Sequence, residues 1–504
     1  MNKKKILLDR FLNTSLSYFY NDFKKLDLDI RVITYNGKLL TGLEGYTGKL
    51  LNDFEIARGS FFSDVPWVLD SQDLEFFSKY EGLFKDILSR YALSTSYWSS
   101  QEMSVHATLL LNYWKYKLVT EQIEICFAFY APHEPSSFSL YLVTKFLKIP
   151  YIFIDMPIIG QKIRFMSCSY KYRNLLIHDK SKETPDWARK TLENHKYKIA
   201  NNFITGLPPF MFENDDIFNK VKSSLKKGDL IKKTFALLFP GVDSFFKYNR
   251  LEWYAAKAIP NWISFYLQRY KILRRISKRG KDYNKICSSF KNELINSRYI
   301  YFAAPLSPEG SYLPASLWNR HIKISILKLI SVIPDDWKII YKANPLQFSQ
   351  NTKYRFSTFP DWFTSDFYFD LLKTKKVHFV SVDTPTKDLI ENSTGVASIC
   401  GTVSIEAITL GKHAITFSPM WYDEIEGIHF CKTKEDLLEA INLMKIKDIP
   451  VPKFSSVHLS SSSIFDGGDY INCDFSKDIY NIISNKFISS YQVFNNLDDK
   501  KWSI

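Results

Sequence analysis

The sequence predicts an α/β protein built on parallel sheets, and three observations predict it. Residues 123–155 read as strand, loop, helix and strand, at the length of a βαβ crossover. From residue 298 onward, apolar strand-like runs alternate with helical patterns, as they do in a doubly wound domain. Proline and glycine signals at Pro150, Pro334 and Gly411 fall between those runs and so punctuate elements.

Asp29 to Tyr35 is β-rich and stops at the turn pair Asn36-Gly37, so a strand is expected there. Residues 73–92 and 102–120 carry helical spacing, with Leu109, Leu110, Tyr113 and Trp114 on one face of the second. Ile123 to Tyr130 is a compact apolar run ending at Ala131-Pro132-His133-Glu134-Pro135. A helical pattern from Ser137 to Lys148 and a strand from Tyr151 to Asp155 complete the unit. Gln268 to Lys291 holds nine Lys or Arg and one acid, Asp282, and reads as a basic helical linker or insertion.

The second half alternates more sharply. Strands are expected at Arg298–Ala304, Trp337–Tyr341, Val377–Val382, Val396–Cys400 and His413–Phe417. Helices are expected at Leu317–Ile333, Thr386–Asn392, Ser404–Leu410 and residues 435–445. Residues 455–475 are Ser-rich and loop-like, and a last helix is expected at about 477–488. This divides the chain into 1–215, a Rossmann-like domain; 216–297, the basic segment; 298–450, a second Rossmann-like domain; and 451–504, a tail that folds back.

Composition bounds the class. With 504 residues, 45% hydrophobic and 24% charged, the chain suits two or three folded domains. The net charge of +14 draws polyanions without choosing among them, and nucleic acid is not an expected partner. Six cysteines at 126, 168, 287, 400, 431 and 473 form no C-x-x-C pair and are expected to be reduced in a cytoplasmic protein. The basic start, Met1 to Lys5, precedes too short an apolar stretch for a secretory signal. No apolar run approaches the roughly 18 residues a membrane span needs.

Three constellations stand directly after strands, where open α/β sheets bind ligands. Pro305-Leu306-Ser307-Pro308-Glu309-Gly310-Ser311 holds a carboxylate on a stiff loop; an ordinary acidic turn reads the same way. Lys342-Ala343-Asn344-Pro345 offers an amine to a phosphate, or is a solvated lysine before a turn. Gly401-Thr402-Val403-Ser404-Ile405-Glu406-Ala407 places small and hydroxylic residues at a helix start, suited to a phosphate with Glu406 on a ribose or base hydroxyl. The alternative is a simple cap made by Thr402 or Ser404. The nine His residues show no metal-binding spacing, and no Walker A, G-x-G-x-x-G or G-x-S-x-G sequence occurs.

Taken together and in order, these motifs resemble the capsule-polysaccharide glycosyltransferases that include the bacterial β-Kdo transferases. That family carries Gln-Pro-Glu-x-Ser, Lys-x-His-Pro and Gly-Thr-x-x-x-Glu-Ala, the last followed by Gly-Lys-Pro. The matches are Pro308-Glu309-Gly310-Ser311, Lys342 to Pro345, Gly401 to Ala407 with Gly411-Lys412, and the aromatic pair Trp421-Tyr422. They cover about 298–430, and Pro132-His133 extends the likeness weakly to the first half. Ser307 and Asn344 depart from the family's Gln and His.

The resemblance implies a GT-B architecture, two Rossmann-like domains facing across a cleft, with the donor on the second. It implies a metal-independent transferase without a cofactor, moving a sugar such as Kdo from its CMP donor to a glycan or glycolipid acceptor. Glu309 is then the catalytic carboxylate, and His133 and Glu134 are candidates for the acceptor base. Ser311, Lys342, Asn344, Pro345, Gly401, Thr402, Ser404 and Glu406 form the donor site. Ser307 and Asn344 motivate a competing reading, a non-catalytic polysaccharide assembly factor, and a GT-B-like sugar-nucleotide epimerase is a third. The basic stretch 269–281 is expected to lie on an anionic surface, either lipid on the inner face of the inner membrane or a phosphorylated lipid carrier; a solvated helix face reads the same way.

Overall fold

The computed structural model describes residues 3–11, 28–35, 45–89, 99–128, 131–155, 162–168, 173–175, 262–287, 297–307, 316–348, 365–445 and 465–466, apart from a few positions within them. The chain divides into two compact units, the first formed by Met1–Ser89, Tyr97–Pro185 and Leu459–Ile504 and the second by Arg90–Ser96 and Asp186–His458.

The first unit is built on β1 (Lys5–Phe11), β2 (Asp29–Tyr35), β3 (Lys49–Asn52), β4 (Ile125–Ala128), β5 (Tyr151–Asp155), β6 (Lys162–Cys168) and β7 (Arg173–Leu175). The order is β3-β2-β1-β4-β5-β6, parallel up to β5 and antiparallel at β6. Phe465–Asp466 pairs antiparallel with β6, so the C-terminal stretch returns to this sheet. The rest of that stretch, including 477–488, lies outside the described residues.

Its helices are α1 (Asp53–Ala57), α2 (Ser71–Ser78), α3 (Glu81–Ser89), α4 (Ser100–Thr120) and α5 (Pro135–Phe146). Capping boxes start two of them, Asp70 with Asp73 on α2 and Ser99 with Glu102 on α4. Pro135 opens α5, where its missing N–H costs nothing. Leu110, Tyr113 and Trp114 are buried as the periodicity predicts, while Leu109 is half-buried. The single helix expected over 73–92 is two, broken at Lys79-Tyr80.

The N-terminal segment changes meaning in three dimensions. Sequence reading weighs 1–10 only as a leader; Lys5–Phe11 is in fact the central strand, with Ile6, Leu7 and Leu8 wholly buried between β2 and β4. Its apolar run is too short to stand out until its neighbours cover it.

The second unit carries α6 (Trp262–Cys287), β8 (Tyr299–Ala303), α7 (Ile322–Ile330), β9 (Lys338–Lys342), α8 (Ser365–Lys373), β10 (Val377–Phe379), α9 (Thr386–Glu391), β11 (Gly395–Ser398), α10 (Val403–Thr409), β12 (Ala414–Thr416), β13 (Ile428–Phe430) and α11 (Lys434–Lys445). All six strands are parallel, in the order β10-β9-β8-β11-β12-β13. Runs of consecutive buried residues in β8, β9 and β11 fit a sheet covered on both faces. The helix expected over 317–333 is a 3₁₀ turn, Leu317–Arg320, followed by α7. Asn319 donates to Phe417 O at 3.1 Å and accepts from Lys328 Nζ at 2.9 Å, which pins that turn to the end of β12.

The basic segment, read as a linker or insertion, contains a helix belonging to the second unit. Tyr283 of α6 is wholly buried among Phe348, Tyr368, Phe379 and Tyr341, with ring centroids 5.1–6.5 Å away. Its hydroxyl donates to Val380 O at 2.7 Å and accepts from Ala343 N at 3.0 Å. Gly280, also buried, faces Phe348, and a Cβ there would lie 3.4 Å from it, at ordinary contact distance.

That hydroxyl joins the ends of β9 and β10 through one buried atom. Tyr283→Phe keeps the ring but leaves Ala343 N–H and Val380 C=O without it. We expect a loss of about 1–3 kcal/mol in urea unfolding, with unchanged m-value.

Candidate functional site

In the second sheet the chain starts at β8, builds outward through β9 and β10, then returns to add β11, β12 and β13. The order reverses between β8 and β11, which makes this the switch point, the place where open α/β sheets bind ligands beyond their strands' C-terminal ends. The loop after β8 and the Gly401 turn after β11 both leave the sheet at this point. Ser398 Oγ stitches the two strands, 3.0 Å from Ala303 O and 2.6 Å from Cys400 O.

Gly401 has φ +126°, a conformation strained for any side chain. Among the described residues, a Cβ built there would meet only Ser398 Oγ, 4.0 Å away. Tyr422 grips the turn: its hydroxyl accepts from Gly401 N at 2.9 Å and donates to Gly401 O at 2.6 Å. Burial pushes the Tyr422 phenol well above its ordinary range, which keeps that proton in place.

The turn is not a side-chain cap. Thr402 stands at the N-cap of α10 in helical conformation and makes no capping bond; its hydroxyl donates to Glu406 Oε1 at 3.1 Å. Ser404 is wholly buried beside Tyr422, so the structure does not present it at the switch point. Glu406 is 1% exposed and also points inward.

Lys342 ends β9 and is 8% exposed. Its Nζ donates to Thr384 O at 2.6 Å and Thr386 Oγ1 at 2.9 Å. Burial lowers its pKa to about 8, partly offset by the negative charges of Glu406 and Asp383. It is therefore a buried, mostly charged amine and not a solvated lysine. Asn344 is half-buried, its carbonyl accepting from Gln347 N at 2.9 Å, and Pro345 begins the 3₁₀ turn Pro345–Phe348.

Ser307 is wholly buried in the wall of the loop after β8. The Gln347 amide brackets its backbone, accepting from Ser307 N at 2.9 Å and donating to Ser307 O at 2.8 Å. Pro308, Glu309, Gly310 and Ser311 lie outside the described residues. Lys342 thus lies within electrostatic reach of Glu406, to which Thr402 donates, while Ser404 and Glu406 both face inward beneath the Gly401 turn.

His133 and Glu134 belong to the first unit, between β4 and α5. His133 Nδ1 lies 2.6 Å from Ala131 O, which sets Nδ1 as the protonated nitrogen, and Nε2 is 3.4 Å from Glu134 Oε1.

Sequence reading missed a second cluster, at the C-terminal end of β1. Asp9 is wholly buried, accepting from Thr34 Oγ1 at 2.6 Å and Tyr151 Oη at 3.2 Å. Arg10 has φ +56° at an irregularity in the β1–β2 register and pairs with buried Asp53 at 3.3 Å. The signal was Asp9-Arg10 directly after Ile6-Leu7-Leu8, the same charge-after-strand pattern that marks Lys342. It is visible only once 5–11 is known to be a strand. Like Gly401, it adjoins a reversal of strand order, here between β1 and β4.

No protein-family model matches the chain, and no curated protein matches it. Among the solved structures to which it is similar is the UDP-GlcNAc 2-epimerase of Methanocaldococcus jannaschii, at 13% identity and TM-score 0.24, covering 96% of this chain and 99% of that one. Another is UDP-GlcNAc 2-epimerase from Neisseria meningitidis bound to UDP-GlcNAc, at 13% identity and TM-score 0.20, covering 95% and 100%. A glycosyltransferase from Rickettsia africae ESF-5 is similar at 10% identity and TM-score 0.22, covering 98% and 99%. Likeness at this level carries no argument about chemistry; the two parallel-sheet α/β units stand on this chain's own strand order.

Burial, then the Asp53 charge, raises Asp9 from 3.8 to about 7. Between those values the folded state holds a proton that the unfolded chain releases. Its stabilising contribution is fully present below about pH 3.8 and is lost as pH rises through 7. Asp9→Asn keeps an acceptor for Thr34 and removes the charge. Its urea midpoint relative to wild type should climb steadily from pH 4 to 7; a constant difference would rule out this titration.

Proposed function

We propose that the second unit binds the phosphate of a nucleotide-linked sugar at its switch point, and that the chain is a glycosyltransferase of bacterial surface-polysaccharide synthesis. The observation that carries this reading is Gly401: strained backbone, held by Tyr422, where a Cβ would meet only Ser398 Oγ among the described residues. A residue larger than glycine would both fill the approach and resist the conformation. With seven residues, α10 supplies only a small dipole, so local groups matter more.

In this reading the first-turn N–H groups of α10 meet the phosphate. Lys342, with two of its three protons engaged, offers the third, and Asn344 adds a neutral donor. Thr402 and Glu406 hold the turn's shape from beneath. Pro345 fixes the chain after Asn344. Ser311 extends the donor site from the loop after β8, and Glu309 on that loop is the carboxylate at the reacting centre. The resemblance to β-Kdo transferases makes a CMP-linked sugar the first donor to try.

The acceptor is a glycan or glycolipid hydroxyl. Its oxygen attacks the anomeric carbon as the bond to phosphate breaks; the electron pair leaves with the phosphate. His133 and Glu134, an adjoining pair, are the candidates for the group that takes the acceptor's proton. The developing phosphate charge is met by fixed donors that need no reorganisation.

Thermal shift against CMP-, UDP-, GDP- and dTDP-sugars tests the donor site. A donor at about 100 times its Kd should add roughly 2.7 kcal/mol and raise the melting temperature. Gly401→Val should abolish that rise. A full rise in a folded Gly401→Val variant would place the donor elsewhere.

Glu309→Gln tests the chemistry. Turnover of sugar onto acceptor should fall at least about 100-fold with donor affinity unchanged. A change confined to KM would make Glu309 a binding group. Conversion of donor without acceptor would identify an epimerase instead, and donor binding without any turnover would identify an assembly factor.

A further inference from the structure

The 26-residue helix α6 has two opposed faces. Ile276, Gly280 and Tyr283 are buried against the second unit. Lys271, Arg274, Arg275, Lys278, Lys281 and Lys285 are all exposed. At 100° per residue these six fall within an arc of about 120°, opposite the buried seam, and run for about 20 Å. Among the described residues no ion pair engages Lys271, Arg274, Arg275, Lys278 or Lys281. Asp282 is the one acid of the helix.

Like charges set so close repel one another, and packing alone does not call for them: the seam opposite already anchors the helix. An adjacent anion makes the arrangement favourable. Basic residues clustered on one helix face are what binds an anionic lipid interface, where charge meets headgroups. A nucleic-acid groove needs a concave basic surface or base-stacking platform instead. No described helix is long and apolar enough to cross a membrane, so the contact is with its surface.

We infer that the basic face of α6 docks the protein on a bilayer of anionic phospholipid. The inference goes beyond the transferase reading and is independent of it, because it involves no donor-site residue. Each base near an anionic surface contributes about a fivefold gain in partitioning.

The test is co-sedimentation of the full chain with vesicles. Wild type should bind phosphatidylglycerol–phosphatidylcholine vesicles, ignore phosphatidylcholine alone, and bind less as salt shortens the Debye length. The variant K271Q/R274Q/R275Q/K278Q/K281Q should fold, by circular dichroism, and lose at least about 100-fold in partitioning. Lys434→Gln with Lys445→Gln, exposed bases on α11, should bind as wild type does. Absence of wild-type vesicle binding, equal binding by the five-site variant, or selective loss of duplex DNA binding in its place would each overturn the inference. Should the five-site variant unfold, vesicle protection of Lys271 to Lys281 from acetylation in wild type decides: unprotected lysines overturn it.

Discussion

Strands of a fully parallel sheet need cover on both faces, and each must be followed by a crossover before the next can pair. Both units meet that constraint by starting in the middle. β1 and β8 are central strands; chain added on one side must return past them to build the other. The reversal sets a switch point next to the first strand of each unit, whatever side chains line it. The loops after β8, β9 and β11, the Asp9–Arg10 pair and the long helices that cover the sheets take their places from this one requirement.

What stands at these strand ends is costly. Removing a charge from water is unfavourable unless it is paired or hydrogen-bonded. In the second unit Lys342 is lowered to about 8 by burial, restrained by Glu406 and Asp383, and held by two oxygens of the β10–α9 loop. In the first, Asp9 is raised to about 7 while Arg10 and Asp53 pair beside it. Apolar residues of similar size would suit a sheet end better. Ionisable groups kept there, with displaced pKa values and strained backbone at Arg10 and Gly401, are what a ligand-binding edge needs.

The helix α6 shows how one element can serve two demands. Its Tyr283 face closes the aromatic cluster over β9 and β10, and its opposite face collects the exposed bases. In the sequence the charge dominates and suggests a linker; the seam of Ile276, Gly280 and Tyr283 is sparse enough to pass unnoticed until its partners, about sixty to a hundred residues onward, are packed on it.

Local patterning by itself determined the class of this protein, its second parallel sheet, the βαβ unit around 123–155 and the strand ends that precede the loops after β8, β9 and β11. Those signals are contained in short windows: apolar runs of strand length, helical spacing, and Gly or Pro at the stops. Local patterning did not determine that Lys5–Phe11 is a central strand, because only β2 and β4 on either side give that short run its burial. Nor did it separate the residues of one motif. Gly401, Thr402, Ser404 and Glu406 look equally available in the sequence, but a helix turns each successive residue by 100°. Ser404 and Glu406 face inward beneath the Gly401 turn, the first against Tyr422 and the second toward Thr402 and Lys342. That choice belongs to tertiary packing, which decides what lies beneath each turn.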